Sequence, residues 1–165
     1  MPATASFFDS SLTRCSQQCR RTRAQVLRSL QENCPDTHSR IRYALAKELG
    51  RYLGESHCQV LAVYVFGSTM NDTAGKMSDL DLLVLVKDKT TCLDNSVHLL
   101  NDGLLSSYRV ALNDDALPLH TLLDVHIVDA AEMFARRGYG ALITSTFEPP
   151  IKIWSRDQEP ERNAS

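Results

Sequence analysis

Asp79 and Asp81 stand two residues apart at the head of an apolar run, Asp79 to Val86 (DLDLLVLV). In a strand, alternation puts both carboxylates on one face. Two like charges that close repel each other, and an apolar strand is a poor home for them unless a cation neutralises both. Mg²⁺ or Mn²⁺ meets that need, because such ions prefer hard carboxylate oxygens combined with water and phosphate oxygens. A pair of these ions about 3.5–4 Å apart can hold an attacking oxygen, an α-phosphate and a leaving pyrophosphate together. A third carboxylate should then arrive on a neighbouring strand. The run Leu122 to Val128 (LLDVHIV) supplies one. Leu123, Val125 and Ile127 face one way, and Asp124 and His126 face the other. Asp79, Asp81 and Asp124 are thus the expected metal ligands and catalytic groups. His126 reads as a plain core or surface histidine, with tuning of Asp124 or contact with an acceptor as the alternative.

A phosphate site is expected just upstream. Gly67 ends the apolar run Gln59 to Phe66 where the chain must turn sharply, and it leaves room for a ligand to approach main-chain N–H groups. Ser68 adds a hydroxyl and an N–H at the same point, an arrangement that suits a phosphate.

The elements that must position these groups are legible in outline. Residues 1–10 read as a loose leader. Leu12, Cys15, Cys19, Val26, Leu27 and Leu30 form an irregular helical stripe from Ser11 to about Glu32, broken at Asn33-Cys34-Pro35-Asp36. A second helix starts at Asp36 or Thr37, buries Ile41, Ala44, Leu45, Leu49, Tyr52 and Leu53, and stops at Gly54. Strands are expected at Gln59–Phe66, Asp79–Val86 and about Thr121–Val128. A helix between the last two carries Leu93, Val97, Leu100, Leu104 and Tyr108, interrupted at Asn101-Asp102-Gly103. A short helix runs from Ala130 to Arg137, and Ile151 to Trp154 adds an edge strand with Trp154 as a packing anchor. This gives an α/β (α+β) fold: one small mixed sheet with flanking helices. It divides into a basic N-terminal helical arm (1–35), a catalytic domain (36–155) and a mobile tail (156–165).

Composition sets the outer limits. The chain has 165 residues, enough for a single core, with 43% hydrophobic and 23% charged residues. A formal net charge of −2 argues against a general nucleic-acid binder. Charge is nevertheless uneven: Arg14, Arg20, Arg21, Arg23 and Arg28 face the single acid Asp9 in the first 30 residues. Such an arm is either a solvated helix face or a contact for RNA or an acidic partner. No apolar run approaches the roughly 20 residues that cross a bilayer, so no membrane role is expected. Five cysteines without a CxxC pair read as reduced thiols of a cytoplasmic protein. The Arg- and Ser-rich start also loosely fits an organellar transit peptide.

With these residues in place the sequence resembles the DNA polymerase β-like nucleotidyltransferase superfamily. Gly67-Ser68, ten residues, then Asp79-x-Asp81 matches its signature, and Asp124 matches its third acid. At average residue usage that four-residue pattern occurs by chance in roughly one chain in several hundred. The small size is most similar to the minimal nucleotidyltransferases. One departure is that Thr69, Asn71 and Asp72 stand where minimal members often carry Arg and Gly; Lys76 would restore the charge, and Lys87 or Lys89 could contribute from the end of the strand. The resemblance implies a palm-type sheet in which Asp79 and Asp81 bridge two ions and Asp124 binds the ion activating the acceptor hydroxyl. Gly67, Ser68 and Lys76 would bind the nucleotide, read as ATP, and AMP would pass to an acceptor hydroxyl. It also implies candidate acceptors: a helical partner protein, as in toxin–antitoxin pairs, or RNA, or a small hydroxylated molecule such as an aminoglycoside. A catalytically weak domain that only binds a partner is the third reading, and intact acids argue against it.

Overall fold

The computed structural model describes residues 4–158. Helix α1 (Thr4–Cys19) buries Phe8, Leu12 and Cys15, a stripe at i, i+4, i+7. It begins within the stretch expected to be a loose leader, because Phe8 and Leu12 carry enough apolar surface to dock it. Arg20, with φ of 53°, ends the helix, and a capping box between Thr22 and Gln25 starts α2 (Arg23–Gln31). The single irregular stripe seen in the sequence is thus two helices. Asn33, also at positive φ, and Pro35 at the first helical position then launch α3 (Pro35–Ser56). Gly54 does not stop this helix. It is a notch for Trp154, since a Cβ at Gly54 would lie 2.3 Å from the indole ring.

Strand β1 (Val60–Phe66) pairs antiparallel with β2 (Leu80–Val86). Helix α4 (Thr91–Leu112) crosses over and returns the chain to β3 (Leu123–Asp129), parallel to β2. Two short helices, α5 (Ala130–Phe134) and α6 (Gly140–Ile143), precede β4 (Ile151–Ser155), which closes the sheet antiparallel to β1. The strand order is β3-β2-β1-β4. Helix α4 runs unbroken through Asn101-Asp102-Gly103. Gly103 lies under Thr4 of α1, and the Asn101 side chain accepts from the Leu122 and Leu123 N–H groups, so the polar triplet anchors neighbours and breaks nothing. Helix α5 is shorter than expected. Arg136 adopts positive φ after Ala135, and the chain leaves the helical region.

The two faces of the sheet are unequal. Val63, Val65, Leu80, Leu82, Val84 and Leu123 pack against α1 to α4, and the N-terminal helices share that one core. On the other face Ala62, Tyr64, Leu83, Leu85 and Val128 meet only Met133, Leu142 and Ile143 of α5 and α6 and their partly buried neighbours. By alternation Asp81, Asp124 and His126 belong to this thinly covered face. Of the tail expected to be mobile, Arg156–Gln158 form a 3₁₀ turn, with the Arg156 guanidinium donating to the carbonyls of Gly54, His57 and Val60. Residues 159–165 lie outside the described residues.

Candidate active site

Asp81 and Asp124 are direct partners across the parallel β2–β3 ladder. Asp79 sits one residue before β2 and joins them, and the three residues bring carboxylate oxygens within 4.8 Å of one another. Burial raises the pKa of Asp81 to about 6, helped by the charges of Asp79 and Asp124, while His126 acts in the opposite direction. Half-buried acids packed this closely are poorly tolerated without a compensating charge. The hard oxygen donors suit Mg²⁺ or Mn²⁺, so the residues present fit the expected ion.

Gly67 closes the site from β1. Its φ is +76°, and a Cβ there would lie 2.1 Å from Asp81 Oδ2, so both backbone angle and space demand glycine. A 3₁₀ turn, Gly67–Thr69, follows, with Met70 N–H donating to the Gly67 carbonyl and Thr73 N–H to the Ser68 carbonyl. The turn leaves Ser68, the residue after Gly67, half-buried, while Thr69 is buried. Asp72, which would repel a triphosphate, is exposed and at positive φ. Lys76 is placed differently from the other nucleotide candidates. Its backbone N–H donates to Asn33 Oδ1 and its carbonyl accepts from Tyr108, which seats it against the α2–α3 junction. Lys89 pairs with Glu132 at 2.9 Å.

His126 does more than fill space. Its Nε2 lies 3.2 Å from Asp124 Oδ2, and its ring stacks on Tyr139 with centroids 3.6 Å apart and planes at 19°. Phe66 sits about 6 Å from both rings. Beyond this stack, along β3, lies a cleft of about 450 Å³ lined by Lys89, His126, Arg137 and Tyr139 among others. A smaller one of about 230 Å³ lies on the Gly67 side, between Phe66, Met70, Asn71 and Leu142. The sequence held no sign of Tyr139, since nothing in the spacing of an exposed loop tyrosine links it to a histidine thirteen positions earlier.

Comparison with known proteins agrees with this geometry. The family described as Polymerase beta, Nucleotidyltransferase matches residues 47–134, just over half of the chain and all of the acid-bearing segment. The chain belongs to this nucleotidyltransferase family. The matched segment runs from within α3 to the end of α5 and includes Gly67, Ser68 and all three acids, so the generic chemistry is transfer of a nucleoside monophosphate. A solved structure from Sulfolobus solfataricus, provisionally named a nucleotidyltransferase, is similar at 17% identity, covering 82% of this chain and 88% of that chain with a TM-score of 0.38. No curated protein matches. Among the described residues no helix is long and apolar enough to cross a membrane.

Proposed function

We propose that this nucleotidyltransferase moves AMP from ATP to an acceptor hydroxyl in a divalent-metal-dependent reaction, and that the acceptor is a helical partner protein. The observation that supports the reaction is the convergence of Asp79, Asp81 and Asp124 beside the Gly67–Ser68 turn. These three carboxylates would hold Mg²⁺ or Mn²⁺. When bound, such ions neutralise phosphate charge and acidify the attacking hydroxyl. The Ser68 hydroxyl and the turn's N–H groups hold the β,γ-phosphates. The acceptor oxygen bonds to the α-phosphorus as the bond to pyrophosphate breaks, and Asp124 takes the hydroxyl proton, steadied by His126. Rate comes mainly from positioning and charge neutralisation.

The acceptor side is assigned to the larger cleft, because it continues along β3 from Asp124 and carries Arg137 at its rim. The test is incubation with each NTP labelled at the α-phosphate, Mg²⁺ or Mn²⁺, candidate helical partners and RNA oligonucleotides. Label from ATP should appear on the protein partner with stoichiometric pyrophosphate. Label on RNA would replace the protein acceptor, and label from another NTP would replace ATP. No label with any acceptor, together with no metal or NTP binding, would remove the enzymatic reading.

A further inference from the structure

Of the three acids, Asp79 alone lies outside the sheet. Asp81 is fixed by pairing with Phe66 on one side and Asp124 on the other, but the ladder begins only at Leu80. Something else must hold Asp79, and the loop before it is gripped from the opposite face. Arg42 of α3, 2% exposed, is among the largest fully buried side chains in the molecule. Its Nη2 donates to the Ser78 carbonyl at 2.6 Å, the carbonyl of the very peptide unit that carries the Asp79 nitrogen. The same nitrogen donates to the Tyr108 hydroxyl at 3.1 Å, and Nη1 donates to His38 Nδ1 at 2.9 Å.

The Leu30 carbonyl fixes the tautomer of His38 in this network. His38 Nε2 donates to the Leu30 carbonyl at 3.0 Å, which leaves Nδ1 as a bare acceptor for Arg42. Burial and the adjacent guanidinium push the His38 pKa down to about 4, so the ring is neutral. The Tyr108 hydroxyl accepts from Arg42 and has two acceptors within reach of its own proton, the Lys76 carbonyl at 3.0 Å and His38 Nδ1 at 3.2 Å. The loop is held at further points by Ser39, whose hydroxyl accepts from Ala74 N–H, and by Asn33, which accepts from Lys76 N–H.

Stability does not explain the arrangement. Among the described residues Arg42 has no carboxylate partner, and its Nε is buried without a hydrogen bond. A buried cation satisfied only by neutral dipoles is costly, and an apolar side chain of similar volume would commonly serve a core better. We propose that Arg42, with Tyr108 and His38, is a positioning device that fixes the Gly75–Ser78 loop and so delivers the Asp79 carboxylate to Asp81 and Asp124. The proposal rests on the reading of those acids as metal ligands.

The test measures Mn²⁺ alone, titrated against the full-length protein by electron paramagnetic resonance, with amide hydrogen exchange on the same samples. The variants are Tyr108→Phe, Arg42→Leu and Arg42→Lys, with thermal melting as the fold check. Tyr108→Phe and Arg42→Leu should melt within a few degrees of wild type yet bind Mn²⁺ about tenfold more weakly. Exchange should rise at residues 74–78 while β2 stays protected. Arg42→Lys, a single point charge in place of a fork, should fall between. Wild-type Mn²⁺ affinity in both Tyr108→Phe and Arg42→Leu would overturn the positioning role while leaving the metal reading intact. If a variant fails to fold, Tyr108→Phe, which deletes one oxygen, decides alone. A wild-type protein that binds no Mn²⁺ at all would instead bring down the metal reading, and the proposal with it.

Discussion

Gly67 and Asp81 occupy complementary space: the carboxylate of Asp81 lies where a side chain at Gly67 would begin, with Oδ2 2.1 Å from the position of a Cβ. The Gly67–Thr69 turn and the acid cluster are therefore one construction, and neither can shift without the other. The positive φ of Gly67 adds a second demand at the same residue. Gly67→Ala meets both penalties. It should cost about 2 kcal/mol of stability, from left-handed backbone and displacement of Asp81. It should also weaken Mn²⁺ binding by about tenfold or more, as losses next to metal ligands do. Urea denaturation and metal titration of the same variant check the pair. A stable Gly67→Ala protein with normal Mn²⁺ affinity would show that the acids tolerate movement.

Asp81 gives a pH signature. Its pKa in the folded metal-free protein is about 6, against an ordinary value of 3.8, because burial and two neighbouring carboxylates disfavour its charge. A raised acid favours the folded state below its unfolded value, and that contribution is lost as pH rises from about 4 to about 6. Metal-free protein should accordingly lose stability across that window. Added Mg²⁺ should restore it, with little effect at pH 4 and full effect above about pH 6. Asp81→Asn should raise the metal-free Tm at pH 7.5 by about 2–4 °C, roughly 1 kcal/mol after allowing for partial exposure, and should abolish the Mg²⁺ effect. Melting curves at three pH values decide it. A Mg²⁺ shift independent of pH would place the ion elsewhere.

Much of this site could be read from the sequence because its parts are local. Alternation fixes the face of Asp81 and Asp124, and a sharp turn after a strand calls for Gly67, whereas Asp79 lies one residue before β2 and is placed by the loop. The strands were also clear, since short Val- and Leu-rich runs have few other fates. What failed were readings that depend on distant partners. Gly54 and Asn101-Asp102-Gly103 look like breakers when only local propensity is weighed. They are helical because Trp154 and Thr4 occupy the space their glycines leave, and because Asn101 caps the entrance to β3. The start of α1, before Ser11, looked loose for the same reason, as Phe8 has meaning only against the core it joins. Arg42 carried a weak signal, a charge set among His38, Leu45 and Leu49 at helical spacing, yet only the fold reveals what it holds.

The Gly54 notch makes a stability prediction. A Cβ there would lie 2.3–2.4 Å from three atoms of the Trp154 indole, so Gly54→Ala must displace the ring that anchors β4 on α3. The expected cost is about 2 kcal/mol, typical of overpacking. In a Trp154→Ala background the clash disappears. The same substitution should then be nearly neutral or slightly stabilising, since alanine favours helix over glycine. A coupling of at least about 1 kcal/mol in the double-mutant cycle is the readout. Additive costs would mean that the ring moves aside freely.

Ser68 is predicted to act through its hydroxyl. The residue is half-buried and follows Gly67, which packs against Asp81, and its Oγ makes no hydrogen bond within the described residues. Ser68→Ala should weaken NTP binding by about 1–2 kcal/mol, the size of one hydrogen bond to a charged group. Ser68→Asp should be far worse, because it brings negative charge to the phosphates. Calorimetric titration with a non-hydrolysable NTP compares the three proteins. Equal affinities would move the phosphates away from this turn.

Asp124 and His126 are predicted to serve the acceptor. Asp124 arrives on β3, the edge strand, so it approaches the pair Asp79–Asp81 from the side on which the larger cleft opens. Its Oδ2 is engaged by His126, which is itself held by stacking on Tyr139. That chain orients the carboxylate. Asp124→Asn keeps an oxygen for coordination but loses the negative charge and the proton acceptor. NTP affinity should then change little, while the chemical step slows by about 10²-fold or more, the scale of lost general-base help. His126→Gln retains a hydrogen-bond donor on a shorter, unstacked side chain, so it should slow the same step by about tenfold or less. Single-turnover rates beside NTP affinities separate the two effects. Should Asp124→Asn lose NTP binding yet react normally at saturating NTP, Asp124 belongs to the nucleotide side and the division of labour between the strands is reversed.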